Sequence, residues 1–146
     1  MYLYVLATWL IANLVHPFMM YVVFGGGDFD LDGFGMQFIF YSFVFSLPSL
    51  FLSFLAIYGI SKLPASGAGK YIAWLITAPV IVFINYWLLF AVLFNLRIEK
   101  EEIDIMWPAI IAVVITIVVR YVSFFKNVAQ LNKEKNETVN NTNGSY

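Results

Sequence analysis

Two groups of residues in this chain have types and spacings that could do chemistry. The first lies in residues 25–36, GGGDFDLDGFGM, where Asp28, Asp30, Asp32 and Gly33 read D-x-D-x-D-G, the opening of a calcium loop. Alternating carboxylates ahead of a glycine suit a hard cation that binds oxygen ligands. The stretch then departs from the pattern: the twelfth position, where a bidentate glutamate belongs, is Ile39, and three glycines stand where a helix should enter. Three carboxylates and the Phe34 carbonyl fall short of the roughly six to eight oxygens calcium takes. Gln37, water or the acids of the 97–107 segment would have to supply the rest. The missing ligands favour a soluble acidic turn, with a weak Ca2+ site as the alternative.

The second group sits inside long apolar runs. His16, Ser46, Asn85 and Thr116 each stand eight to ten residues in from one end of a run, and Asn13 lies a turn from His16. At about 1.5 Å per helical residue, that places all four about 12–15 Å deep, near the middle of a bilayer. Two readings are open. Buried polar groups need partners, and these can partner one another, fixing the helices by a hydrogen-bonded layer. They can equally form a small polar pocket or proton relay around His16, the sole histidine, because ionisable residues within membranes are functional candidates and imidazole titrates near neutrality.

A third pattern is a stripe. Ser42, Ser46, Ser49, Ser53 and Ala56 recur at intervals of four and three, so a helix presents them on one face. Small residues permit close helix approach in lipid, and serine hydroxyls bond across the contact. The stripe reads as a packing seam, or as the polar lining of a conduit.

The elements that must position these residues follow from hydropathy. Four runs, 2–24, 37–61, 71–95 and 108–125, are long enough to cross a hydrocarbon core, which takes roughly 20 residues. The expected fold is all-α: an integral membrane four-helix bundle of two transmembrane hairpins over residues 1–125. A polar tail follows at 126–146, partly helical and then disordered as Asn and Thr accumulate without apolar periodicity. A hydrophobic content of 62% with 12% charged residues leaves a soluble chain of 146 residues too little polar surface to cover itself.

Orientation follows from Lys and Arg. Lys62, Lys70, Arg120, Lys126, Lys133 and Lys135 fall on one side of the runs, against Arg97 and Lys100 on the other. Both termini are therefore expected in the cytoplasm, in a cell's plasma membrane, with the acidic segments outside. In a cytoplasmic tail the acceptor patterns at Asn136, Asn140 and Asn143 are inert. Arg120, five residues from the end of its run, is expected to snorkel to the cytoplasmic interface.

Absences narrow the function. Without cysteine there is no disulfide, thiolate metal site or thiol redox chemistry in the chain, as membrane thiol oxidases require. No glutamate lies in an apolar run, where small drug–proton antiporters hold theirs. A lone histidine cannot build a zinc cluster, and no basic patch suggests nucleic acid. The expectation is a protein without a cofactor of its own that acts in the bilayer by contact with a membrane-protein partner or with itself, as an accessory subunit, assembly or protective factor. The alternative is an oligomeric transporter or channel component using the layer around His16. Enzyme chemistry is the weaker expectation.

Overall fold

The computed structural model describes residues 1–23, 34–93 and 100–143. Asp28, Asp30 and Asp32 lie outside these residues. The described chain is helical: α1 (Tyr2–Val23), α2 (Phe34–Lys62), α3 (Gly67–Leu88) continued by a π-helical turn (Leu89–Leu93), α4 (Lys100–Val119) and α5 (Tyr121–Asn143). Among the described residues three helices are long and apolar enough to span a membrane, or four if α4 and α5 form one broken span.

The outward faces show which solvent the helices need. Leu3, Phe18, Val22, Phe51, Leu55, Ile76 and Val119 are all more than 60% exposed. In water such a surface would aggregate; in lipid it is the matching solvent. The chain is that of a membrane protein. Inside, Tyr4, Val5, Ile57, Trp74, Ile117 and Phe124 form the main apolar cluster. α1 packs against α2 and α4, and α3 packs against the same two helices.

Each of the helices α1 to α4 carries an interior proline: Pro17, Pro48, Pro79 and Pro108. A proline removes one backbone hydrogen bond and crowds the preceding turn, so within lipid other groups must satisfy the loosened carbonyls. Pro48 leaves the Val44 carbonyl without its helical donor, and the next two carbonyls along are reached from the neighbouring helices. Trp9 Nε1 donates to the Ser46 carbonyl at 3.2 Å, and Asn85 Nδ2 donates to the Phe45 carbonyl at 3.0 Å. The proline turn of α2 is thereby held between α1 and α3.

The turn from α2 to α3 is fastened locally. Ser66 caps α3 by accepting from the Gly69 N–H at 3.2 Å, so α3 begins at Gly67, ahead of the apolar run itself. Lys70, buried despite its charge, donates to the Ser61 carbonyl at 2.8 Å. A cation on a carbonyl of the last helical turn also complements the dipole of α2.

The fourth apolar run differs from the single helix expected over 108–125. α4 starts at Lys100, with Pro108 well inside it, and the chain bends by 62° between Met106–Val119 and Tyr121–Lys133. Neither proline nor glycine stands at the bend, the usual causes of a sharp kink. Burial on the far side accounts for it instead. α5 turns across the ends of α1 and α3, placing Phe124 edge-on to Tyr4 at 5.5 Å and to Tyr71 at 5.4 Å between ring centres. Gly67 permits this approach, since a Cβ there would lie 3.2 Å from a Phe125 ring carbon.

Arg120, at the bend, reaches the N-terminal end of α1. Its Nη1 donates to the Tyr4 carbonyl at 2.8 Å and to Thr8 Oγ1 at 2.9 Å, and its guanidinium lies 4.8 Å above the Tyr4 ring centre. Three favourable contacts on one side chain hold it there. The tail also differs from expectation, being helical as far as Asn143. Helix formers such as Gln130, Leu131 and Lys133 begin that stretch, and Lys133 stands one turn from Glu137.

Candidate functional site

The polar face of α1 is built on a helical repeat: Thr8, Trp9, Ala12, Asn13 and His16 share one side. α2 opposes it with the serine stripe. Ser46 Oγ donates to Asn13 Oδ1 at 2.9 Å, while Asn13 Nδ2 donates to the Trp9 carbonyl at 2.9 Å. One turn further along, His16 Nδ1 and Ser42 Oγ are 3.1 Å apart. The two helices are therefore joined by side-chain hydrogen bonds on successive turns, at Asn13–Ser46 and His16–Ser42.

Asn85 and Thr116 are buried at 3% and 2% exposure but are used differently. Asn85 crosses to α2 through the Phe45 carbonyl. Thr116 Oγ1 donates to the Ala112 carbonyl of its own helix at 2.7 Å, so it satisfies itself and joins no neighbour. Of these four residues, His16, Ser46 and Asn85 engage other helices; among the described residues Thr116 bonds only within its own.

Between the helices lies a cavity of about 420 Å³. Asn13, His16, Ser42, Ser46 and Asn85 edge it, and Ser49 and Ser53 continue the polar flank along α2. Ala56, the last member of the stripe, packs instead on the apolar cluster. The remaining wall is apolar and aromatic. Trp74, Ala78 and Tyr86 come from α3, and Ala109 and Val113 from α4. No Asp, Glu, Lys or Arg is among the described residues that line it.

The π-helical turn also borders this space, through Leu89 and Phe90. Such turns are rare and recur at functional sites, where they re-aim side chains. Sequence reasoning missed Trp9, Trp74, Tyr86 and this turn. Their signal is position alone: Trp9 lies one helical turn from Asn13, and Tyr86 lies beside Asn85.

Chemically, the arrangement can bind and orient. It offers a hydroxyl flank, one imidazole and two amides against an aromatic wall, with no carboxylate to act as a proton acceptor. Among the described residues no three His, Asp or Glu side chains converge as a metal site. Fold and site together define a helical membrane protein with a cavity among its helices. Set against known protein families, curated proteins and solved structures, the chain matches none of them.

Proposed function

We propose that this chain is a four-span bundle of two transmembrane hairpins in the plasma membrane, with both termini cytoplasmic, that binds a small uncharged molecule within the bilayer. The cavity carries this reading. It is of the size ordinary for small-molecule sites, about 300–1,000 Å³, and combines a largely apolar wall with a few placed polar groups. The hydrogen-bonded layer then holds α1 and α2 together and forms one edge of the pocket. A cavity within one chain does not need self-association to form it, which separates this reading from an oligomeric conduit around His16.

The contact role expected from the serine stripe is the alternative. Most of the stripe faces α1 and the cavity, so a partner would have to meet the outer faces of α2 and α3, where little of either span is buried. Co-purification of one defined membrane protein in mild detergent would mark it.

Native mass spectrometry of protein extracted in mild detergent tests the proposal. A retained small molecule is expected on the wild type and not on Ala78→Phe, which places a ring in the cavity. Wild-type and filled proteins that carry the same adducts would overturn it.

A further inference from the structure

We propose that the occupant is a neutral single-chain amphiphile drawn sideways from the bilayer, its chain lying along α2 and its hydroxyl or carbonyl head held at Ser49. This rests on the pocket reading above.

Shape is the first argument. Lining residues run from Val5 to His16 on α1 and from Tyr41 to Ser53 on α2, which is about 16–18 Å at 1.5 Å per residue. An engineered cavity of about 150 Å³ in another protein takes up benzene; this one, at about 420 Å³, is nearly three times as large. Spread over that length, the space is a slot. It suits a linear molecule better than a fused-ring one.

Charge is the second. An ionised head in a slot with no charged residue among the described lining would lose its hydration without a counter-ion. The head is therefore uncharged.

The third argument is Ser49. It is 5% exposed, lines the slot, and has no hydrogen-bond partner among the described residues. Its neighbours on the flank are committed, Ser46 to Asn13 and Ser42 to His16. Its Oγ keeps some surface open to the slot, where a hydroxyl or carbonyl on a ligand would pair it.

Access is the fourth. Tyr41 and Phe45 both line the slot and are exposed, at 53% and 37%. The slot therefore opens to lipid on the flank of α2, and its ligand comes from the membrane.

The tryptophans supply the test. Trp9 and Trp74 line the slot, whereas Trp87 and Trp107 are about half exposed to lipid. A Trp87→Phe/Trp107→Phe protein in phospholipid nanodiscs is titrated with a monoglyceride bearing a dibrominated decanoyl chain, short enough for the slot between Ser49 and Tyr41, bromine being a contact quencher of indole. The proposal expects saturable quenching, lost in an added Ala78→Phe and weakened at least several-fold in an added Ser49→Ala. A dibrominated alkane without a head should quench equally with or without Ser49→Ala. Should Ala78→Phe fail to unfold cooperatively, Ala12→Leu fills the same slot. Non-saturable quenching that the filling variant leaves unchanged overturns the proposal, and quenching indifferent to Ser49→Ala overturns the assigned head. If bromobenzene quenches in an Ala78-dependent way and the monoglyceride does not, the pocket stands and the single-chain ligand falls. If neither quenches, both fall.

Discussion

Ser46 Oγ donates to Asn13 Oδ1 at 2.9 Å, and this bond sets the register of α1 against α2. Its amide is oriented by a second bond, from Asn13 Nδ2 to the Trp9 carbonyl, while Trp9 itself reaches the Ser46 carbonyl. Three residues thus close a loop of hydrogen bonds across two helices.

Because the loop is shared, its members should not behave independently. Asn13→Ala is expected to destabilise the protein by about 0.6 kcal/mol, up to about 1–2 in favourable geometry, as for polar contacts in other membrane bundles. Ser46→Ala should cost a similar amount, and the double variant less than their sum by about 0.5 kcal/mol or more. Reversible unfolding in mixed micelles measures all three. Strict additivity would show that the bond contributes nothing.

A sharper contrast separates Asn85 from Thr116. Asn85→Ala deprives the proline turn of α2 of its donor and should lower stability by about 0.6–1.7 kcal/mol. Thr116→Val keeps the shape and removes only a bond within its own helix, so it should stay within about 0.5 kcal/mol of wild type. The same unfolding assay decides. Equal losses would mean that Thr116 serves a neighbour after all.

Arg120→Met removes the donors to the Tyr4 carbonyl and Thr8 while keeping the stem. Hydrogen bonds from charged groups contribute about 1.5–3 kcal/mol; the part-exposed guanidinium should fall at or below the lower end. Arg120→Lys should recover only part, since an ammonium lacks the planar fork. Thermal unfolding, with proteolysis of α5 followed in parallel, is the measurement. An α5 as resistant to proteolysis in Arg120→Met as in the wild type would separate the bend from this contact.

Topology is open to a direct test. Reporter fusions after Lys62, Lys100 and Lys135 should report cytoplasm, exterior and cytoplasm. An external signal at Lys135 would mean three spans with α5 outside, and would make Asn136, Asn140 and Asn143 available for glycosylation.

The apolar runs around His16, Pro48 and Pro79 read directly as helices because lipid-facing positions need no polar alternation, and hydropathy alone marks them. The intervals between Ser42, Ser46, Ser49 and Ser53 likewise show a shared face. What a run of residue types cannot carry is what lies opposite. Depth counting puts Thr116 level with Ser46, yet a threonine can satisfy itself on its own helix, and the count is blind to that. The bend at Arg120 was illegible for a similar reason: its compensation lies in Tyr4, Tyr71 and Gly67, on helices distant in sequence. A cavity is harder still, being made by the atoms that several helices do not supply.

The contact between Arg120 and Tyr4 spans 116 positions of the chain. During synthesis Tyr4 emerges before Arg120, which is made only after α2, α3 and α4. Asn13 and His16 can be satisfied as soon as α2 follows α1 into the bilayer, whereas the far end of α1 waits for the last turn of α4. Contacts between such distant positions form late because the intervening chain must first be ordered. The Arg120 contact is therefore a clasp that closes late, between segments of the nascent chain made far apart in time. A chain released before that arginine would hold its first hairpin and leave the ring unfastened.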